Sequence, residues 1–207
     1  MKPDNNVIRI ISGIIYAICF FYIILETQNW PFYLTISLML FGSIYEIIKI
    51  SSTKWLSYIL IIYAIITWLI LIKLKNAEQG DFLLIVLIIN VWSSDLGGYG
   101  FGIYGKHTFC KTSPKKTIEG ILGSFFTCFL TSIVLQKLLT NHIDINFTFI
   151  SFMICTSSIL GDLLISKFKR INQIKESGFF LPAHGGFLDR LDSLFLSSPV
   201  YYFLICI

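Results

Sequence analysis

Ser166-Lys167-Phe168-Lys169-Arg170, then Lys175-Glu176, then Pro182-Ala183-His184-Gly185-Gly186-Phe187-Leu188-Asp189-Arg190-Leu191-Asp192 form a polar stretch between two apolar runs. It gathers five of the sixteen Lys and Arg residues and three of the twelve acids. Lipid packing has no need of such a segment. With Asp162 just before it, the stretch offers the carboxylates of Asp162, Asp189 and Asp192 to a hard cation, and Lys169, Arg170 and Arg190 to phosphate oxygens. On a helix Asp162, Ser166 and Lys169 fall at i, i+4 and i+7 and share a face, as do Asp189 and Asp192 at i and i+3. Two such acidic faces brought together repel each other in a low dielectric unless a cation binds. A divalent ion, Mg²⁺ above others, is therefore expected, with a second metal ion left open. The competing reading pairs these carboxylates with Arg170 and Arg190 as salt bridges.

The elements that must position these groups are membrane helices. Hydrophobic residues make up 55% of the chain and charged residues 14%, with a mean hydropathy of +0.76, which excludes an ordinary water-soluble globule. Apolar runs of about 20 residues span a bilayer as helices, because helices satisfy their backbone bonds locally. Seven such runs are predicted: roughly 8–26, 30–50, 55–73, 82–99, 118–139, 146–165 and 192–207. The last is short and must begin inside the polar stretch or cross only part of the bilayer. The expected fold is all-α, a multi-pass membrane protein with about seven transmembrane helices. It is read as a single membrane domain over 1–207, with N-terminal scaffold helices in 1–81 and catalytic helices and loops in 82–207. The segment from about Ser166 to Asp189 is expected to be a re-entrant or interfacial loop, broken at Ser177-Gly178 and Pro182. Spans one to three are expected to be scaffold, with a homodimer surface among their expected uses.

Basic residues set the orientation. With the N-terminus in the cytoplasm, thirteen of the sixteen Lys and Arg residues fall on the inside and only Lys73, Lys75 and Lys137 outside, a positive-inside bias. Asp95, Lys115, Lys116, Glu119, Asp162, Asp189 and Asp192 then all meet at the cytoplasmic face. A site there takes a water-soluble reactant from the cytosol and a lipid from the adjoining leaflet. The net charge of +4 sits in short loops between apolar runs, which points to phosphates or anionic head groups and not to nucleic acid.

Other motifs are weaker. Asp95, ionisable and within a span, is a functional candidate by position. Glu46 has Lys49 one helical turn away and is expected to pair with it as a structural acid. Gly100-Phe101-Gly102-Ile103-Tyr104-Gly105 is a literal G-x-G-x-x-G without a βαβ unit, so a tight turn or a close helix contact through Gly98 and Gly102 is expected in place of dinucleotide binding. Ser113-Pro114-Lys115-Lys116-Thr117 places two cations ahead of a helix N-terminus, a position suited to an anion. Cys19, Cys110, Cys128, Cys155 and Cys206 are scattered, with neither zinc-ligand nor disulfide-framework spacing. The first apolar run continues without a small-x-small cleavage site, so no cleaved signal peptide is expected.

Ser166, Lys169-Arg170, Lys175, His184-Gly185-Gly186, Asp189-Arg190 and Asp192 together resemble the signature of the phosphatidate cytidylyltransferase family, the CDP-diacylglycerol synthases. The resemblance continues upstream through Asp95-Leu96-Gly97-Gly98-Tyr99, Gly105-Lys106, Ser113-Pro114-Lys115-Lys116-Thr117 with Glu119-Gly120, and Gly161-Asp162, in the family's order over the C-terminal half of the chain. It departs at Ile165, where members commonly carry an acid, and at Lys175-Glu176, where they carry Lys-Asp. The resemblance implies the reaction of CTP with phosphatidic acid to give CDP-diacylglycerol and pyrophosphate, in the cytoplasmic membrane of a bacterium. It implies Asp162 and Asp189 as leading metal ligands with Asp192 and Asp95 in support. Lys169, Arg170 and Arg190 would hold phosphates and Ser166 would orient a phosphate or a water. Lys115, Lys116, Lys175, His184, Gly185 and Gly186 would lie along the substrates.

Two alternatives stay open at this point. One keeps CTP and changes the lipid phosphate that accepts CMP. The other is a multi-pass transporter of a phosphorylated solute, whose carboxylates would lie near mid-bilayer with repeat symmetry. The D-G-x-x-A-R element of the CDP-alcohol phosphotransferases is missing from the sequence.

Overall fold

The computed structural model of the protein describes residues 5–51, 54–110, 113–139, 144–174, 177–178 and 186–206, with side chains described outside 5–12, 114, 115 and 139. Among these residues the order is α1 (Asn5–Leu25), α2 (Trp30–Ile50), α3 (Lys54–Lys75), α4 (Gly80–Gly102), β1 (Thr108–Cys110), β2 (Ser113–Thr117), α5 (Ile118–Leu139), α6 (Ile145–Ile171) and α7 (Leu188–Cys206). Helices α2 to α6 are each long and apolar enough to cross a membrane. The protein is an all-α, multi-pass integral membrane protein carrying one small hairpin. Large apolar side chains such as Phe41 (69% exposed) and Leu138 (76%) face outward, where lipid rather than a protein core receives them.

By Cα proximity the chain forms two compact units, 1–85 with 174–191, and 86–173 with 192–207. In the first, α2 packs against α1 and α3. Pro31 lies in the first turn of α2, where its missing N–H costs no helical bond. The buried Lys75 ammonium donates to the Ile24 carbonyl and to Asp81. The C-terminus of α1, the last turn of α3 and the first turn of α4 are thereby tied to one cation. Trp68 Nε1 donates to Ser37 Oγ at 3.2 Å, linking α3 to α2.

In the second unit, α5 packs along α6 and β2 touches both. Asp144 caps α6 by accepting from the Asn146 backbone N–H at 2.8 Å, the role short polar side chains fill at helix starts. α6 runs to Ile171, six residues past the predicted end of its span, so Ser166, Lys169 and Arg170 are helical rather than part of a loop. Lys169 and Arg170 occupy its last turn, where cations favour the negative end of the helix dipole. Gln173, in the left-handed conformation at φ 58°, stops the helix. α7 begins at Leu188, inside the polar stretch, which is one of the two outcomes its shortness allowed. The hairpin is the element that helix-only reading missed: β1 and β2 pair antiparallel, Thr108 with Thr117 and Cys110 with Ser113.

Close helix approach explains several glycines. A Cβ on Gly120 would lie 2.8 Å from the Gly98 carbonyl and 3.2 Å from Gly102 Cα, so the glycine-rich end of α4 lies directly against α5. The G-x-G-x-x-G run thus serves helix contact at Gly102, while Gly100 faces open space.

Candidate active site

In the second unit the Gly161-Asp162 dipeptide sets up the site. A Cβ on Gly161 would meet the Asp192 carbonyl oxygen at 2.6 Å, so only glycine lets α7 come this close to α6. Asp162, the next residue, is thereby carried beside the start of the α7 segment that bears Asp192. Asp162 Oδ2 pairs with Lys116 Nζ at 2.6 Å, and Ser166 Oγ donates to Asp162 Oδ1 at 3.2 Å. The face expected to be shared by Asp162 and Ser166 thus carries a hydrogen bond. Ser193 Oγ donates to both oxygens of Asp95, at 3.3 and 3.4 Å, joining α4 to α7, and Asp192 Oδ1 accepts from the Ser193 backbone N–H at 2.8 Å. Asp162 and Asp95 both act on the Asp192 carboxylate, and Lys169 opposes them. Asp95, Asp162, Asp192, Lys116, Lys169, Ser166 and Ser193 therefore form one electrostatic cluster. Arg170 is exposed.

Lys116, expected along the substrates, sits on Asp162 and also reaches the Ile159 carbonyl at 3.4 Å. β2 delivers it there, one residue before Thr117 Oγ1 caps α5 by accepting from the Gly120 N–H at 3.1 Å. The side chain of Lys115 lies outside the described residues. Glu119, in the first turn of α5, accepts from the Lys106 N–H at 3.1 Å, the His107 N–H at 3.4 Å and His107 Nδ1 at 2.8 Å. It fixes the turn that leads into the hairpin.

In the first unit, Asp189 Oδ2 accepts from the backbone N–H groups of Ser177 at 3.1 Å and Gly186 at 3.4 Å. Arg190 beside it is exposed. Lys175, His184 and Gly185 lie outside the described residues. Glu46 does not pair with Lys49, whose ammonium lies over the Tyr45 ring, 5.8 Å from its centroid. It accepts instead from Ser177 Oγ at 2.9 Å, the Phe187 N–H at 3.0 Å and the Leu188 N–H at 2.9 Å. Helical spacing favoured the nearby lysine and gave no hint of donors more than 130 positions away. The signal that existed was an acid inside an apolar span.

Among the described residues no group of three or more His, Cys, Asp or Glu side chains stands together as a ready-made metal cage. The candidate ligands on α6 and α7 are nevertheless all carboxylate or hydroxyl oxygens, and the close approach at Gly161 brings the Asp192 backbone against α6. Mg²⁺ commonly takes one or two carboxylates and completes its shell with water and substrate phosphates. Asp162 and Asp192 fit a site of that kind.

A sequence model described as the Cytidylyltransferase family matches residues 55–207. A phosphatidate cytidylyltransferase of Rickettsia bellii is 34% identical over 98% of this chain and 92% of its own length. One of Haemophilus influenzae is 38% identical over 61% of this chain and 48% of its own. An uncharacterized protein of Escherichia coli, YnbB, is 32% identical over 75% of this chain and 53% of its own length. The chain thus spans about half the length of the last two and nearly all of the first.

Proposed function

This chain belongs to the cytidylyltransferase family, and from that premise we propose that it is a phosphatidate cytidylyltransferase of a bacterial cytoplasmic membrane, with its N-terminus and active site on the cytoplasmic side. A phosphate oxygen of phosphatidic acid attacks the α-phosphorus of CTP, the bond from that phosphorus to the α,β-bridging oxygen breaks, and pyrophosphate leaves with the electron pair. CDP-diacylglycerol is the lipid product.

The observation that carries this reading is the cluster of Asp95, Asp162 and Asp192 against Lys116 and Lys169 in the unit built from α4 to α7. A phosphate monoester is already largely ionised near neutral pH, so its attack needs no strong base. It needs relief from repulsion as one anion approaches another. Lys169 on the last turn of α6, with Arg170 beside it, supplies fixed positive charge for the phosphates; Arg190 is proposed for the same task on the sequence resemblance alone. Lys116 is held where a triphosphate can draw it away from Asp162. Ser166 orients Asp162 through its hydroxyl and Ser193 orients Asp95. Asp162 and Asp192 would hold Mg²⁺, which would supply neutralisation of the triphosphate and of the departing pyrophosphate; Asp189 is proposed as a further ligand on the sequence resemblance alone. The acyl chains remain in the hydrocarbon around the outward-facing apolar side chains.

Incubation of purified protein with labelled CTP, Mg²⁺ and a panel of lipid phosphates tests the assignment. Pyrophosphate release with phosphatidic acid, and not with a polyprenyl phosphate, supports it. Release with the polyprenyl phosphate alone gives the reaction to another lipid acceptor. Cysteine-accessibility labelling of the Lys106–His107 turn in sealed vesicles tests the orientation.

A further inference from the structure

Glu46 is a buried titratable group that the reaction above does not use. It is 1% exposed and lies on α2, ahead of the matched family region that starts at residue 55. Its three donors come from both ends of the segment that precedes α7: the Ser177 hydroxyl on one side, and the Phe187 and Leu188 N–H groups on the other. The last two lie at the start of α7, ahead of any intrahelical acceptor, where an acid complements the positive end of the helix dipole. Glu46 thus caps α7 from another helix. Neighbouring positions are shaped around it. A Cβ on Gly178 would lie 2.5 Å from Glu46 Oε1 and 3.1 Å from its Cδ, and a Cβ on Gly186 would lie 2.5 Å from Oε1. One turn earlier on α2, Gly42 leaves the space that the Phe187 ring fills.

Ser177 joins this anchor to Asp189. Its hydroxyl donates to Glu46 while its N–H donates to Asp189 Oδ2, and Gly186 N–H also donates to that oxygen. We propose that Glu46 is a positioning residue for CMP transfer: it fixes the 177–178 and 186–188 ends of the polar segment and the start of α7, and so sets the placement of Asp189. The inference rests on the phosphatidate cytidylyltransferase reading only for the reaction that it tunes. Glutamine at this position puts an amide donor against backbone donors, whereas aspartate keeps an all-acceptor group on a shorter arm.

Hydrogen exchange of the detergent-solubilised full chain, read at peptides covering 186–191, is compared for wild type, Glu46→Gln and Glu46→Asp alongside steady-state CMP transfer. In Glu46→Gln, exchange at Phe187 and Leu188 rises on the order of tenfold. kcat falls on the order of 10- to 100-fold while KM for CTP holds, and Glu46→Asp recovers part of both. Unchanged exchange in Glu46→Gln overturns the anchor. Raised exchange with unchanged kcat overturns the positioning role. If wild type itself transfers no CMP, the assigned reaction fails, and the exchange arm alone upholds or overturns the anchor.

Discussion

Lys116 Nζ lies 2.6 Å from Asp162 Oδ2, so a lysine on a strand neutralises the carboxylate proposed to receive Mg²⁺. The ammonium and the metal ion are then competitors for one oxygen. Lys116→Met removes the competitor and also a phosphate-binding charge. Titration of activity against Mg²⁺ and CTP should show half-saturation at lower Mg²⁺, together with a KM for CTP raised on the order of tenfold. A raised Mg²⁺ requirement would contradict the competition.

The same pair predicts what chelation does. Asp162 has its counter-charge within the fold, so EDTA should abolish CMP transfer while leaving the thermal midpoint of the detergent-solubilised protein in place. A large fall in the midpoint would mean that the metal carries folding energy, as structural metal sites do.

Gly161→Ala drives a methyl group into the Asp192 carbonyl. Forcing α6 and α7 apart should cost about 1–3 kcal/mol, the usual penalty for overpacking, and lower turnover by misplacing Asp162 against Asp192. Thermal unfolding followed by tryptophan fluorescence, paired with turnover, measures both. Gly100→Ala, in open space, is the matched control and should leave both near wild type.

Glu119→Ala frees two backbone N–H groups and His107. The turn into the hairpin that presents Lys116 should loosen, raising KM for CTP several-fold with a smaller change in kcat. Steady-state kinetics separate the two. A fall in kcat alone would place Glu119 in the chemistry instead.

Helix positions were legible because lipid imposes a length and a composition that few soluble segments meet, as α2 to α5 illustrate. The end of α6 was harder to read. Hydropathy stops at Ile165, whereas the helix continues through Lys169 and Arg170, because a helix that satisfies its own backbone bonds has no need to break where the apolar run ends. β1 and β2 were missed since a three-residue strand paired with a five-residue one leaves almost no periodic signal. Among the site residues, the common face of Asp162 and Ser166 followed from helical spacing alone. The Lys116–Asp162 pair and the Glu46 anchor could not, since both depend on partners distant in the chain. Ser193 went unremarked because a serine at a helix interface usually reports only close packing. Its bond to Asp95 makes it part of the cluster.

The central claim is that carboxylates on α6 and α7 carry CMP transfer. Single-turnover transfer of labelled CMP from CTP to phosphatidic acid by Asp162→Asn and Asp192→Asn, each shown folded by its thermal midpoint, tests it most directly. The account predicts that either substitution, which keeps shape and removes a charge, lowers the transfer rate by at least about a thousandfold. Near-wild-type transfer by either variant would contradict it.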